Sequence, residues 1–235
     1  MERLPNGMTL SLPAGTFPLS TDSMVLADFV RLPRAARVLD LGSGCGTLGL
    51  LLCSGAADCH VTGVELTENA HLAALDNIRR NGLEDRMVSL CGDIRGVDRL
   101  FPPGGFSVCL SNPPYFSGGP ASAALPLARR EDAWDTASLF RAAAWALKYG
   151  GDFYIVHRPE RLAALIAGAA PFRLEAKRLL LLRHRASGAV NLICLAFRKG
   201  GRPGLKLEEQ CLFHPDGSPT EYYRRVYHIH SEGET

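Results

Sequence analysis

The 235-residue sequence has no long apolar run: its longest, Leu48–Cys53 and Leu162–Ala167, fall far short of the roughly 20 residues that cross a bilayer, so no membrane partner is expected. Its first residues, Met1-Glu2-Arg3-Leu4-Pro5, lack an apolar core of the signal-peptide type, and no leader is expected. No CxxC pair occurs, and seven cysteines form no extracellular spacing pattern. They read as reduced core thiols of a cytoplasmic protein. Repeats and low-complexity tracts are lacking too. With 46% hydrophobic and 21% charged residues, the composition excludes a wholly disordered chain and is enough for one large domain with a full core.

The net charge is only +2, but it is unevenly distributed. Residues 1–157 carry 13 Lys and Arg against 16 Asp and Glu, whereas residues 158–235 carry 13 against 8. Nine basic residues (Arg173, Lys177, Arg178, Arg183, Arg185, Arg198, Lys199, Arg202 and Lys206) share the stretch 173–206 with one acid, Glu175. Such a skew suits a polyanion; a solvated basic strand face is the alternative.

From residue 37 onward, strand and helix signals alternate. Arg37–Leu41, Val61–Leu66, Met87–Leu90 and Phe106–Leu110 read as strands. Between them, Thr47–Cys53 and a segment opened by Thr67 and stopped by Asn81-Gly82 read as helices. Farther on, the pattern predicts a helix over Asp135–Tyr149 ended by Gly150-Gly151, and a strand over Phe153–His157. Pro159 then begins a helix, and Lys177–Arg183 with Val190–Phe197 form a closing hairpin. This alternation predicts an open, mostly parallel α/β sheet with helices on both faces and an antiparallel end. The loop 116–132 and the stretch after Gly200 read as mobile.

Four motifs fall at successive strand ends. Asp40-Leu41-Gly42-Ser43-Gly44-Cys45-Gly46 joins a strand to a helix through three glycines, a turn that lets a ligand approach the backbone. Its spacing is G-x-G-x-G, not the G-x-G-x-x-G of nicotinamide binders. Glu65, 25 residues after Asp40, ends the second strand, where an acid can accept both hydroxyls of a ribose. Asp93, in Cys91-Gly92-Asp93-Ile94, ends the third and can accept from an adenine amino group; an Asx turn or helix cap is the plainer reading. Fourth comes Ser111-Asn112-Pro113-Pro114-Tyr115-Phe116. The Asn112 amide oxygen and the Pro113 carbonyl can accept both hydrogens of an NH₂ group, while Tyr115 offers a stacking face; a proline-stiffened turn is the alternative.

These motifs resemble the class I S-adenosylmethionine-dependent methyltransferases that act on amino groups through N-P-P-Y. Leu19–Ala27, Val156–Leu162, Ala176-Lys177-Arg178, Asn191 and Gly200–Lys206 extend the likeness to the bacterial tRNA adenine-N6 methyltransferases that act on valine tRNA beside the anticodon. The resemblance implies a Rossmann-like, seven-stranded, mostly parallel sheet. It also implies a lead-in (1–30) capping the cofactor cleft, a core (31–200) and an extension of the same domain (201–235).

Carried over residue by residue, it implies that Asp40, Gly42, Ser43, Gly44 and Gly46 cradle the methionine part of the cofactor, lined by Thr21 and Asp22. Glu65 and Leu66 would hold the ribose side, and Asp93 with Ile94 the adenine. Asn112, Pro113, Pro114 and Tyr115 would hold the target amine. The expected partner is tRNA, touched by Phe116, Arg129, Arg130, Lys177, Arg178, Arg183 and Arg185. The family's Ala-Arg-His-Glu element reads Ala128-Arg129-Arg130-Glu131 here, and Gln210-Cys211-Leu212-Phe213 lacks its usual proline pair.

Two other functions share this pattern: methylation of a glutamine amide in a protein, and a cofactor-fold module that only binds RNA. No metal is expected, since His228-x-His230 has no third ligand near it in sequence. His157 reads as structural. Cys45 needs no covalent role, because methyl transfer to a positioned amine proceeds without an enzyme-bound intermediate.

Overall fold

A computed structural model of the chain describes residues 2–14, 16, 19–114 and 136–229. A two-stranded antiparallel ribbon, β1 (Glu2–Arg3) and β2 (Thr9–Leu10), leads into helix α1 (Thr21–Phe29). The alternating core follows: β3 (Arg37–Leu41), α2 (Thr47–Gly55), β4 (His60–Glu65), α3 (Glu68–Arg80), β5 (Met87–Cys91), α4 (Val97–Leu100) and β6 (Phe106–Ser111). It continues through α5 (Thr136–Ala146), β7 (Leu147–His157), α6 (Leu162–Ala169), β8 (Leu174–Arg185), β9 (Val190–Lys199), β10 (Lys206–Phe213) and α7 (Glu221–Val226).

The main sheet has eight strands in the order β10-β8-β9-β7-β6-β3-β4-β5, one more than expected. The added strand is β10, which pairs in parallel with β8 from Lys206↔Arg178 to Phe213↔Arg185. Thus the stretch after Gly200 is built into the sheet and then into α7, where the sequence suggested mobility. β9 is antiparallel to both neighbours, β7 and β8, and lies inside the sheet; the remaining ladders are parallel. The expected helix over 135–149 also ends early. Phe106 pairs with Leu147 and Val108 with Asp152, so β7 starts immediately after α5 and carries a bulge around Gly150, whose φ is 78°.

Each sheet face is covered by its own core. One holds α1, α2, α3, α7 and the lead-in, with Met24, Leu26, Leu50, Val38, Leu110 and Val226. The other packs α5 and α6 with Leu39, Cys109, Phe140, Phe153 and Phe197, the three phenylalanines edge-on or stacked at 5.6–6.2 Å between centroids. Central strands buried on both faces explain their near-continuous apolar runs. The exception within β3 is Asp40.

The lead-in is fastened by two asparagines one turn apart, Asn77 in α3 and Asn81 at its C-terminal cap. Asn77 accepts from the Ser11 N–H at 2.7 Å and donates to the carbonyls of Ser11 and Cys45, both at 3.0 Å. Asn81 accepts from the Thr9 N–H at 2.9 Å and donates to the Thr9 carbonyl at 2.8 Å. These side chains give an extended segment the pairing that a neighbouring strand would provide.

Candidate functional site

The strand ends converge because β3 lies between β4 and β6, and Asp40 pairs across the ladders with Gly63 and Leu110. Asn112 therefore emerges two residues past the partner of Asp40. Between β3 and α2 the backbone turns through Gly42, Gly44 and Gly46 at φ of 79°, 54° and 84°. A Cβ at Gly46 would stand 2.8 Å from the Met87 methyl, which can move, so it is the φ of 84° that favours glycine there. At Gly44 nothing lies within 4 Å of a built Cβ. That glycine faces open space.

Asp40 is 1% exposed, and neither carboxylate oxygen has a hydrogen-bond partner among the described residues. Burial, with the Glu65 charge adding to it, pushes its pKa up to about 8. A buried, unpaired carboxylate costs several kcal/mol in general and is stabilised by an arriving cation. The Ser43 hydroxyl beside it is buried and unpartnered as well. Together with the space at Gly44, this fits a cationic ligand that needs close backbone approach.

Glu65 has both oxygens engaged. One accepts from the Gly44 N–H at 2.9 Å; the other accepts from the Thr67 N–H and hydroxyl at 2.9 and 2.7 Å. It thus ties the glycine turn to the start of α3, and the oxygen that accepts from Gly44 alone retains a lone pair for a further donor. Leu66 beside it is 45% exposed, while Ile94 is buried. Asp93 is a cap in this structure. It caps the turn Ile94–Gly96 by accepting from the Arg95 N–H at 2.8 Å, and it pairs with the Arg95 guanidinium at 2.6 Å. The Arg95 side chain holds its carboxyl below the usual range.

Asn112 and Pro113 leave β6 at this rim. The Asn112 Nδ2 donates to the Ser23 hydroxyl at 3.0 Å, which brings α1 against the motif. Thr21 and Asp22 open that helix, and the Thr21 hydroxyl meets the Tyr227 hydroxyl at 2.8 Å. Ser23 and Tyr227 were not singled out in the sequence: Ser23 is one small polar residue inside a matching motif, and Tyr227 is 206 residues from its partner. Tyr115, Phe116, Arg129, Arg130 and His230 lie outside the described residues.

Of the six basic residues expected to meet RNA, the four that are described divide into two pairs. Across the ladders Ser111 aligns with Ile155, Leu195 and Leu179. Arg183 and Arg185 therefore project four and six residues past that level, about 13–20 Å at 3.3 Å per residue, on the side where Asn112 emerges. Lys177 and Arg178 lie before it. Arg178 donates twice to Glu208 at 3.1 and 3.2 Å and to the Phe29 carbonyl, and it covers the Phe29 ring at 4.2 Å. With its side chain 14% exposed, it is built into the packing between β8, β10 and α1. Lys177 donates to the Arg202 carbonyl at 2.9 Å. Arg183 holds the Gly188 carbonyl at 2.7 Å, and Arg185 is exposed.

Cys45 is buried, and burial raises its pKa, so it remains a thiol. The His157 pKa falls to about 4, chiefly through burial and then through Arg161 and Arg158; its Nδ1 accepts from the Arg158 N–H at 2.8 Å. No cluster of three metal-ligating side chains occurs among the described residues. None of their helices is long and apolar enough to cross a membrane.

Residues 19–165 match the family of methyltransferase small domains. A tRNA1(Val) (adenine(37)-N6)-methyltransferase from Tolumonas auensis is 31% identical over 202 residues, 84% of this chain and 83% of that protein. The protein of the same name from Bacteroides thetaiotaomicron is 28% identical, covering 90% of each chain. Among solved structures, a predicted O-methyltransferase from Agrobacterium tumefaciens superposes with a TM-score of 0.75 at 21% identity, over 88% of this chain and 96% of that one. At that identity the last likeness concerns the fold.

Proposed function

Because this chain belongs to the methyltransferase small-domain family and, within it, to the tRNA1(Val) (adenine(37)-N6)-methyltransferases, we propose that it transfers a methyl group from S-adenosylmethionine to the N6 amino group of an adenine in tRNA, beside the anticodon. The observation that supports this most is the unpaired Asp40 carboxylate under an open glycine turn, one strand away from Asn112. The methionine end of the cofactor carries an ammonium group, which suits Asp40. Glu65 would accept from the ribose with its remaining lone pair, beside the exposed Leu66. Asp93 and Ile94 would meet the adenine, with Asp93 already fixed by Arg95.

When bound, the cofactor supplies a methyl group made electrophilic by its sulfonium. The chain orients the amine. An adenine NH₂ is a weak nucleophile because its lone pair is conjugated with the ring. Two acceptors, Asn112 Oδ1 and the Pro113 carbonyl, favour the pyramidal form as positive charge develops. The adenine must leave its stack, and Tyr115 would compensate by stacking on it. Arg183 and Arg185, on the projecting end of β8, are the described basic residues we assign to the tRNA backbone; Arg129, Arg130 and Phe116 remain candidates from sequence. The cytoplasm, where tRNA is found and thiols stay reduced, is the matching compartment.

A glutamine side chain presents the same planar NH₂, so the deciding experiment identifies the product. Incubation with bulk tRNA and labelled cofactor, followed by nucleoside mass spectrometry, should yield labelled N6-methyladenosine. Label in protein glutamine, with none in RNA, selects the other substrate. Cofactor binding without label in either leaves only a binding module.

A further inference from the structure

Four rings stand in a row at the end of the sheet where Asn112 emerges. His184 on β8 lies 4.8 Å from Phe213 on β10, Phe213 lies 4.9 Å from Tyr223 on α7, and Tyr223 stacks on Tyr227 at 4.4 Å, centroid to centroid. Tyr227 closes the row against Thr21 at the start of α1. Phe213, Tyr223 and Tyr227 are half-buried, but His184 is exposed, so the row ends in solvent on a ring seated against Phe213. A row of packed rings that ends this way offers its last ring to another planar group.

That ring is held in place. The Asn191 side-chain oxygen accepts from the His184 N–H at 2.9 Å, and Arg183 donates to the Gly188 carbonyl at 2.7 Å, which fastens the turn between β8 and β9. A ring on a fixed strand loses little freedom when a base stacks on it. Arg183 and Arg185 flank it, and neither forms an ion pair with a described residue, unlike Arg178 and Arg198. Asp216, in the turn after β10, accepts from the Ser218 N–H and hydroxyl. Unpaired cations beside an exposed ring suit the phosphate and the base of a single-stranded nucleotide chain.

His184 stands three strands across from β6 and five residues beyond the level of Ser111, about 14 Å and about 16 Å. The base that reaches Asn112 is too far away to touch it. We propose that His184 stacks on a second, unpaired base in the same RNA loop as the adenine to be methylated, with Arg185 on the adjoining phosphate. This rests on the function proposed above and adds to it a second point of contact, which sets the register of the RNA on the enzyme.

Two measurements test it. With S-adenosylhomocysteine present, His184→Ala should weaken tRNA binding about tenfold without changing its log–log salt slope, since stacking releases no counterions. His184→Phe should restore the affinity and His184→Lys should not. Wild-type affinity in His184→Ala overturns the proposal, and so does rescue by Lys alone, which would make the contact one of charge. In turnover the loss should fall on KM for tRNA; a loss confined to kcat overturns the proposal as well.

The second readout needs no methyl transfer. Stem-loop RNAs carry 2-aminopurine, a fluorescent adenine analogue quenched by stacking, at each loop position in turn. At one position or more, wild-type protein should quench it and His184→Ala should not. Equal quenching by the two proteins at every position overturns the proposal. If label from the cofactor enters protein glutamine and not RNA while this quenching persists, the tRNA reading fails and the role of His184 stands. N6-methyladenosine formed by His184→Ala at the wild-type KM overturns the proposal alone.

Discussion

The strand ends of β3 and β4 and the ladder of β8 and β10 are both rich in ionisable residues, yet they use them in opposite ways. On the first side, Asp40 is buried without a partner, and Glu65 bonds to backbone and hydroxyl donors without meeting a cation. On the second, charges meet one another. Arg178 and Lys206 converge on Glu208, Arg198 pairs with Asp152, and Lys199 holds the Leu147 carbonyl. A dense run of basic residues can thus be mostly internal wiring, whereas one unpaired buried carboxylate marks a place suited to a cation. The useful quantity is the charge whose partner lies outside the protein, not the charge density.

This contrast can be broken at several points. The largest expected effect is at Asn112. Replacing it with Ala should lower turnover at least 100-fold, about 3 kcal/mol for an oriented polar contact, while S-adenosylhomocysteine affinity by calorimetry barely moves. Near-normal turnover would reduce N-P-P-Y to a turn. On the ladder side, Arg178→Ala should cost about 1–3 kcal/mol in denaturant unfolding, because it leaves Glu208 half-buried without its main cation. Cofactor affinity should not change, and loss of tRNA affinity without loss of stability would return Arg178 to the RNA surface.

Asp40 gives a pH test. The unfolded chain releases this proton near 3.8 and the folded chain near 8, so between those values the folded state holds more protons and stability falls as pH rises. Melting temperatures of cofactor-free protein should therefore decline from about pH 5 to about pH 8, and Asp40→Asn should flatten the decline. S-adenosylhomocysteine should stabilise the wild type more at the upper end, where its ammonium meets an ionised carboxylate. Equal pH slopes in the two proteins would mean that Asp40 has found a partner. The smallest effect is at the projecting end of β8. Arg185→Glu should flatten the log–log salt dependence of tRNA affinity by up to about one unit and leave melting unchanged.

Much of this was legible in the sequence because the signals were local. Strand, glycine turn and helix follow one another within residues 37–55, and an acid or Asn112 closes each of the next three strands. β10 was not legible: Lys206–Phe213 alternates weakly, and its pairing is with a strand more than twenty residues earlier. The role of Arg178 was hidden for a similar reason, since its partners Glu208 and Phe29 are 30 and 149 residues away. Charge counts along a chain carry no information on such distant pairing. Asp93 was legible in position but ambiguous in use, because cap and ligand acceptor demand the same side chain.

The bond between Thr21 and Tyr227 also bears on how the molecule is made. A ribosome delivers α1 early and the segment 221–227 after every strand of the sheet is already synthesised. Until that segment arrives, α1 lacks both the Tyr227 hydroxyl and the Arg225 clamp on Asp28. A chain interrupted after β9 would carry the glycine turn, the acids and N-P-P-Y, yet leave unsupported the helix that meets Asn112. The last helix thus completes a brace on the first one, so the two ends of the chain are fastened together beside the motif.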